Sequence, residues 1–315
     1  MKRRILIAEP RDFSPAALAM LKQVGQVDLI EVKKGDLEKA CCDYDVLWFR
    51  LGFKIDAVDL PESPRCRIIV CPATGLDHID EAACHAKGIR ILSLRGEADF
   101  LRSVRATAEL TIGLALALLR KIPQAQAHVR AGGWVRDLFQ GQELFGKTVG
   151  IAGMGRLGKL CAQYFQAFGC RVLGYDPLEF EVAGVENCPS LEYLVSRSDI
   201  ISIHINYVAE NHHLFNDTVL ATFKTGSVLI NTARGALVDS QALLRQLESG
   251  HLSGAALDVI ENEHAHSDSV LIEYARQHAN LLITPHIGGN TRESFEKTEL
   301  FLAQKLKTCL SDKTT

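Results

Sequence analysis

The chain has 315 residues, 47% of them hydrophobic and 23% charged, with a formal net charge of -3 at pH 7. This length and apolar content fit about two globular domains with large cores. The balanced charge, with lysine and arginine scattered along the chain, argues against a nucleic-acid partner. The longest apolar stretch, from Ile112 to Leu119, is well short of the about 20 residues of a membrane span, so we predict no membrane partner.

Strands and helices are predicted to alternate from the first residues. Ser14 and Pro15 are typical of the N-cap and first turn of a helix, which we expect to end at Gly25. A second helix is expected over 79–87, and a long one over 100–121 that is apolar nearly all round in its second half. The strands of this part are predicted at 4–8, 27–30, 46–49, 67–71 and 89–92. This repetition indicates an α/β fold.

A glycine motif follows the next predicted strand, residues 149–152. In GMGRLG, Gly153, Gly155 and Gly158 have the spacing of a dinucleotide-binding turn between a strand and a helix. Asp176 ends the strand after that helix, where an acidic residue holds the ribose hydroxyls. We therefore predict NAD as cofactor, in preference to NADP, whose 2′-phosphate this carboxylate repels. The residues predicted to bind it here are Gly153, Gly155, Arg156, Leu157, Gly158 and Asp176.

Three later segments, NTARG, ALDVIENE and TPHIGG, place polar side chains directly after aliphatic runs. They carry Arg234, Asp258, Glu263 and His286. Ligands of open parallel sheets bind at the carboxyl ends of the strands. A guanidinium, a carboxylate and an imidazole that meet there can bind an anionic substrate and transfer a proton. Each residue alone also fits a structural salt bridge or a turn, but their order and position favour catalysis.

The cysteines and histidines predict no metal site. The nine cysteines are an odd number and none of them form a CxxC pair, so a reducing, cytoplasmic setting is expected. The apolar run within the first segment, MKRRILIAEP, is too short for the core of a signal peptide. His212 and His213 are interpreted as solvated loop residues. The segment ENEHAHSD groups Glu261, Glu263, His264, His266 and Asp268 as a metal site could, but their spacing matches no ligand motif, so His264 and His266 are also interpreted as solvated.

These motifs together resemble the D-isomer-specific 2-hydroxyacid dehydrogenases, the family that includes D-3-phosphoglycerate dehydrogenase. TGLDHID is similar to the substrate loop of that family, ATAEL to its interdomain helix, and the three later segments to its arginine, acidic and histidine motifs. The resemblance implies an α/β fold of two doubly wound parallel-sheet domains. A Rossmann NAD domain, 99–287, would be inserted into a flavodoxin-like substrate-binding domain, 1–98 plus 288–315. The last helix is expected over 291–310.

The resemblance also implies a role for each site residue. His286 would be the acid and base, Glu263 would orient its ring and favour its charged form, and Arg234 would bind the substrate carboxylate. Asp258 would accept a hydrogen bond from the nicotinamide amide. The backbone of Thr74 and Gly75 would complete the carboxylate site when the domains close. Further cofactor-binding residues implied by the family are Thr232, Ala233, Arg234, Asp258, His286, Gly288 and Gly289.

Three segments depart from the family pattern. His204, Ile205 and Asn206 stand where His-x-Pro is usual, and SLRGEADFLRS replaces a typical Pro-Gly-x-Asn. Glu263 is followed by His264 where proline is common. These departures put in question the conformation of 204–216, of 93–103 and of the loop that carries Glu263. None of them removes a catalytic group.

The function expected is an NAD-dependent dehydrogenase acting on a D-2-hydroxy acid or its 2-keto acid. One alternative is an NAD-binding regulator or scaffold with weak catalysis, like the corepressors of this family, which keep the same site residues. A formate-dehydrogenase-like activity is disfavoured because that branch has glutamine where Glu263 stands. The pattern does not distinguish between substrates.

Two further expectations concern substrate and assembly. Arg50, after the strand 46–49, is either a surface arginine or a second cation in the cleft. The second possibility favours a substrate with a distal carboxylate or phosphate.

The apolar helix and the segment GGWVRDLF, with Trp134 and Phe139, predict a homodimer, since the family dimerises through this region.

Overall fold

The computed structural model describes residues 2–311, with Asp268 described by its backbone alone. The chain divides into two compact units. The first unit runs to Val104 and resumes at Asn290, and the second comprises Arg105–Gly289. The second unit is therefore an insertion in the first. The chain leaves and re-enters the first unit a few residues after the boundaries that the sequence predicts.

The first unit is built on a parallel sheet of five strands with the order β2-β1-β3-β4-β5. This is the order of a flavodoxin-like doubly wound sheet. Its strands are β1 (Arg4–Ile7), β2 (Gln26–Leu29), β3 (Val46–Trp48), β4 (Ile68–Cys71) and β5 (Arg90–Ser93). Its helices are α1 (Pro15–Val24), α2 (Leu37–Asp43), α3 (Glu81–Ala86), α4 (Ala98–Leu101) and, from the end of the chain, α12 (Arg292–Ser311).

Both faces of this sheet are buried. Ile5, Ile7 and Trp48 belong to one hydrophobic cluster, whereas Leu6 and Leu47 belong to another. Successive residues of a strand point to opposite faces, so each face has its own core. Strands that are covered on both sides need apolar side chains on both faces, which is why the central strands β1, β3 and β4 have nearly continuous apolar sequences.

The second unit has a parallel sheet of seven strands, β12-β11-β10-β9-β6-β7-β8, the order of a Rossmann sheet with one added strand. The strands are β6 (Thr148–Ala152), β7 (Arg171–Tyr175), β8 (Val185–Asn187), β9 (Ile200–Ile203), β10 (Val228–Asn231), β11 (Gly254–Leu257) and β12 (Leu281–Ile283). The helices are α5 (Ala106–Leu119), α6 (Ile122–Arg130), α7 (Arg156–Ala167), α8 (Leu191–Arg197), α9 (Asp217–Ala221), α10 (Ser240–Glu248) and α11 (Val270–Gln277). The predicted fold class is thus confirmed.

The single helix predicted over 100–121 is wrong, because two helices, α4 and α5, share this part of the chain. Helix α4 ends at Leu101 and α5 begins at Ala106, with turns between them. Leu101 and Val104 belong to the core of the first unit, so the chain cannot continue as one straight helix into the second. Lys121, with a φ of +52°, separates α5 from α6, which the sequence analysis did not predict.

Among the described residues, no helix combines the length and the apolar character that crossing a membrane requires.

Candidate active site

Three neighbouring strands of the second unit end at the same level of the sheet. Asn231 of β10 pairs with Leu257 of β11, and Leu257 pairs with Ile283 of β12. Arg234 follows β10 by three residues, Asp258 follows β11 directly, and His286 follows β12 by three residues. The parallel register therefore places the three predicted site segments side by side at the carboxyl edge of the sheet.

The imidazole of His286 pairs with Glu263. Its Nδ1 lies 2.7 Å from Oε2 of Glu263, and both side chains are about one quarter to one third exposed, at 25% and 30%. A carboxylate at Nδ1 fixes the orientation of the ring and stabilises the imidazolium form. Nε2 is then the ring nitrogen that can exchange a proton with a substrate. The structure thus brings together the two residues that were predicted to act as a pair.

Asp258 holds the turn that carries His286. This carboxylate is buried, with 1% of the residue exposed. Its Oδ1 accepts hydrogen bonds from Thr284 Oγ1 at 2.6 Å and from the Ile287 amide at 2.8 Å, and its Oδ2 accepts one from the Gly288 amide at 2.7 Å. Burial raises the pKa of Asp258, and these hydrogen bonds oppose that rise. The sequence predicts Asp258 as a contact to the cofactor, whereas its function in organising this turn is visible only in the structure.

The backbone of His286 is held as firmly as its ring. The His286 amide donates to the Asp258 carbonyl at 2.8 Å, and the residue has a φ of +53°. This left-handed conformation is uncommon for residues other than glycine and costs free energy. The hydrogen bonds from Thr284, Ile287 and Gly288 to the Asp258 carboxylate, on both sides of His286, stabilise this conformation.

Arg234 lies in a loop that Asn231 stabilises. The buried Asn231 side chain accepts from the Ala233 amide at 3.0 Å and donates to the Arg234 carbonyl at 2.9 Å. The neighbouring Thr232 shares a hydrogen bond of 2.9 Å with Thr111 of α5. The half-buried guanidinium of Arg234 donates from Nη1 to the Ala233 carbonyl at 2.8 Å. The loop is therefore a fixed support for a cationic side chain.

The glycine motif forms the turn between β6 and α7. Gly153 has a φ of +94°, and a Cβ there would come within 2.7 Å of the His204 carbonyl. A Cβ on Gly158 would overlap the carbonyl oxygen of Gly153. A Cβ on Gly155, at the N-cap of α7, would meet no atom of the described residues within 4 Å. The first and third glycines are thus required by packing, and the second leaves open space at a helix N-terminus.

Asp176 follows β7 and binds the same turn. Its Oδ2 accepts from the Met154 amide at 2.8 Å, and its Oδ1 accepts from the Leu178 amide at 2.9 Å. Its carboxylate therefore stands next to the glycine turn, as a residue that holds a ribose must. The half-buried side chains of Arg156 and Leu157 begin α7.

His204, which departs from the family pattern in its neighbours Ile205 and Asn206, is a half-buried residue whose Nδ1 atom is buried. Burial lowers its pKa to about 4, so its ring is neutral near pH 7. One ring nitrogen, Nε2, lies 2.9 Å from Ser202 Oγ, and Nδ1 has no hydrogen-bond partner among the described residues. The His204 amide donates to the Ala152 carbonyl at 2.7 Å, which joins β9 to β6 next to Gly153.

The remaining predicted site residues belong to the first unit. Thr74 is exposed and Gly75 half-buried, in a loop whose buried His78 lies 3.4 Å, by its Nε2, from Cys71 Sγ. Arg50 donates from Nη2 and Nε to Oε1 of Glu299, at 2.6 and 3.1 Å. Its Nη1 donates to the Arg11 carbonyl at 2.9 Å. Arg50 is therefore part of a buried ion pair, an arrangement that the sequence did not indicate.

One cluster was missed altogether. His212 and His213 lie beside Glu261, although the sequence grouped Glu261 with His264 and His266. The latter two histidines are exposed, as expected for a solvated segment, but Glu263–Asp268 consists of two short 3-10 turns with a kink at Ala265. Spacing along the chain could not reveal the cluster, because its members come from segments after different strands.

Comparison with known proteins identifies the family. The profile of the D-isomer specific 2-hydroxyacid dehydrogenase family, NAD binding domain, matches residues 112–288. A hydroxypyruvate reductase of Thermotoga maritima is 32% identical over 303 residues, which cover 96% of this chain and 97% of that protein. A crystal structure of D-lactate dehydrogenase from Aquifex aeolicus complexed with NAD and lactic acid has a TM-score of 0.82 and 29% identity, and the match covers 98% of this chain and 95% of that one. The chain belongs to the D-isomer specific 2-hydroxyacid dehydrogenase family and has its NAD-binding domain.

Other relatives are longer. A D-3-phosphoglycerate dehydrogenase of Methanocaldococcus jannaschii is 33% identical over 312 residues, which cover 98% of this chain and 57% of that protein. The chain thus spans little more than half the length of the D-3-phosphoglycerate dehydrogenase that it matches. These three relatives are named as dehydrogenases or reductases. Their names do not favour the corepressor-like alternative.

Proposed function

We propose that this protein transfers a hydride between NAD and the C2 atom of a D-2-hydroxy acid or 2-keto acid. The observation that carries the proposal is the His286–Glu263 pair, with 2.7 Å between Nδ1 and Oε2, on a turn that Asp258 fixes. A general acid in a reductase must present one ring nitrogen in a fixed direction and hold a proton at the pH of the reaction. The pair supports the first requirement, because the bond from Glu263 to Nδ1 fixes the direction in which Nε2 points.

In the proposed reaction His286 protonates the carbonyl oxygen of the keto acid from Nε2 and removes the proton in the reverse direction. Glu263 stabilises the imidazolium that exists before the proton is given up. Arg234 binds the substrate carboxylate, because its planar group can donate two parallel hydrogen bonds to one carboxylate. Thr74 and Gly75 remain predicted contributors of backbone donors to that carboxylate.

The residues around the glycine turn fit NAD. The open space beside Gly155 lets a pyrophosphate approach the N-terminus of α7, where backbone amides and the helix dipole favour an anion. The Asp176 carboxylate would bind the ribose hydroxyls, and the segment after it, Pro177 to Glu181, offers no arginine or lysine for a 2′-phosphate. NAD supplies the hydride acceptor or donor. The other proposed contacts to the cofactor are Thr232, Ala233, Gly288 and Gly289.

Assembly and location belong to the same proposal. Trp134 is 87% exposed and Leu138 is 59% exposed, in a segment next to α6. Large apolar side chains in contact with water are typical of an interface with another copy of a chain. Phe139 is half-buried, with its ring 5.2 Å from that of His128. A homodimer that covers Trp134 is therefore proposed, in the reducing conditions of the cytoplasm that the free cysteines favour.

The experiment is an assay of NADH and NADPH oxidation with a panel of 2-keto acids that includes pyruvate, glyoxylate, hydroxypyruvate and keto acids with a distal phosphate or carboxylate. We expect at least one of them to be reduced with NADH to the D-2-hydroxy acid, and NADPH to be a much poorer donor. Binding of NADH without reduction of any keto acid would contradict the proposed enzyme and favour a regulator. Equal efficiency with NADPH would contradict the role of Asp176.

A further inference from the structure

The cluster of His212, His213 and Glu261 contains none of the residues assigned to catalysis, although Glu261 precedes Glu263 by two positions. One nitrogen of each imidazole and one carboxylate oxygen lie within 4.8 Å of one another. His213 Nε2 is 2.6 Å from Glu261 Oε1, and the ring of His212 stacks on that of His213 with 3.9 Å between centroids. Two histidines and one carboxylate are a donor set that transition-metal sites use.

The carboxylate is oriented by a further residue. Oε2 of Glu261 accepts hydrogen bonds from both the amide and the hydroxyl of Ser240, at the start of α10. Oε1 is thereby directed toward His213. In metal sites the ligands are held by such outer hydrogen bonds, which set their direction before the ion arrives.

The backbone around the cluster is also fixed. The His213 amide donates to the Ala236 carbonyl at 2.9 Å, and Phe215 forms a β-bridge with Val238. A Cβ on Gly235 would overlap the carbonyl group of Ile260, so the segment that carries Glu261 packs tightly on this loop. The segments after β9, β10 and β11, which are neighbours in the sheet, meet here. Binding at this point therefore costs little ordering of the backbone.

We propose that His212, His213 and Glu261 bind one divalent transition-metal ion per chain, with Zn²⁺ as the best match and an open position for water. Imidazole nitrogens and a single carboxylate suit zinc, whereas magnesium and calcium need more oxygen ligands. His213 and Glu261 are partly buried, with side chains 34% and 23% exposed, which shields the ion from competing water. This site replaces the expectation that His212 and His213 are merely solvated.

The movements needed are small. In tetrahedral coordination at about 2.0–2.1 Å from the ion, two ligand atoms are roughly 3.3 Å apart, so His213 Nε2 and Glu261 Oε1 must separate slightly from their present hydrogen bond. His212 must turn its exposed ring out of the stack, away from the Tyr207 hydroxyl that lies 3.4 Å from its Nδ1. The ion takes the place of the hydrogen bond between His213 and Glu261. Because only deprotonated ligand atoms coordinate a metal, binding should weaken at acid pH.

The test is calorimetric titration of the full chain with ZnCl₂ after dialysis against a chelator. We expect about one ion per chain for the unmodified protein. Glu261→Gln and His213→Ala should each weaken binding by about 10-fold or more, and Ser240→Ala by roughly the 10–100-fold typical of a lost outer hydrogen bond. Because His212 is exposed, His212→Ala cannot fail through misfolding and should weaken binding as well.

Matched variants exclude other ligands. The double variant His264→Ala, His266→Ala and the variant His286→Ala should keep full affinity for Zn²⁺. Titration with Co²⁺ should give the absorption of nitrogen and oxygen ligands without a thiolate charge-transfer band, since the chain also has nine cysteines. The proposal would be overturned by absence of binding to the unmodified protein, by an affinity in His212→Ala or Glu261→Gln equal to that of the unmodified protein, or by a thiolate band.

Discussion

Glu263 and His286 are joined by a hydrogen bond of 2.7 Å, and they come from loops after different strands. The ring of His286 is oriented by Glu263, while its backbone lies in a turn that the buried Asp258 carboxylate ties together. Neither end of the histidine can rotate without breaking a hydrogen bond. The arrangement pre-organises a general acid, so little of the reaction barrier is spent on orienting it.

Replacing Glu263 with glutamine should move the pH optimum for keto-acid reduction downward. The neutral amide of glutamine carries no charge to pair with a protonated imidazole, whereas the carboxylate does. The pH dependence of kcat measures the shift. Glu273→Gln, at an exposed ion pair of the same unit, is the control, and an unchanged profile in Glu263→Gln would contradict the pairing.

Two glycines of the same motif should respond differently to alanine. Gly158→Ala should prevent stable folding of the second unit, because its methyl group would overlap the Gly153 carbonyl. Gly155→Ala should fold normally and lose NADH affinity by about 10-fold or more, because its methyl group occupies the space that the pyrophosphate needs.

Circular dichroism and fluorescence titration with NADH separate the two effects. Gly35→Ala serves as the control, since a Cβ there meets none of the described residues within 4 Å. Full NADH affinity in Gly155→Ala would show that the cofactor does not approach this glycine.

The sequence predicted those features that depend on local patterns. The glycine turn and the residues after β10, β11 and β12 follow from short motifs and from the rule that ligands bind at carboxyl strand ends. Helix α1 was predicted with its N-cap, because Ser14 accepts from the Ala17 amide at 3.3 Å, as a serine before a proline suggests.

Features that depend on distant packing were not predictable. The break after Leu101 arises because that residue packs in the first unit, and no local signal marks it. The apolar character of the stretch favoured one helix instead. Glu299 gives Arg50 a partner 249 positions away in the sequence, and Glu261 meets His213 rather than its neighbours.

Arg50→Ala should destabilise the first unit by about 3–5 kcal/mol, the usual cost of removing one partner of a buried ion pair. Glu299 has no exposed surface, and burial raises its pKa, so its carboxylate depends on Arg50 and on the Ser14 amide. Urea denaturation measures the loss. Lys54→Ala, which breaks an exposed pair with Asp56, should cost less than about 1 kcal/mol. Equal losses in the two variants would contradict the structural role of Arg50.

The role of Arg50 toward substrate stays a separate prediction. Three of its five N–H groups already donate to Glu299 and Arg11, which leaves two for a distal anionic group. If Arg50 binds such a group, Arg50→Lys should raise KM about 10-fold for a keto acid with a distal phosphate and leave that for pyruvate nearly unchanged. Equal changes for both substrates would exclude this role.

Trp134→Glu should separate the proposed homodimer into monomers. The unmodified chain should have twice the monomer mass of 34.7 kDa by light scattering at micromolar concentration. A charge at the centre of an apolar interface loses its hydration without gaining a partner. Val58→Glu, at an exposed apolar residue of the first unit, should leave the mass unchanged. A monomeric mass for the unmodified protein would contradict the assembly.

The kcat of His286→Ala, measured beside its affinity for NADH, tests the central claim most directly. The account predicts a fall in kcat for keto-acid reduction of roughly 10²–10⁴-fold, the usual effect of losing a general acid, with NADH affinity nearly unchanged. A kcat within a few-fold of that of the unmodified enzyme, with NADH bound equally well, would show that His286 does not transfer the proton.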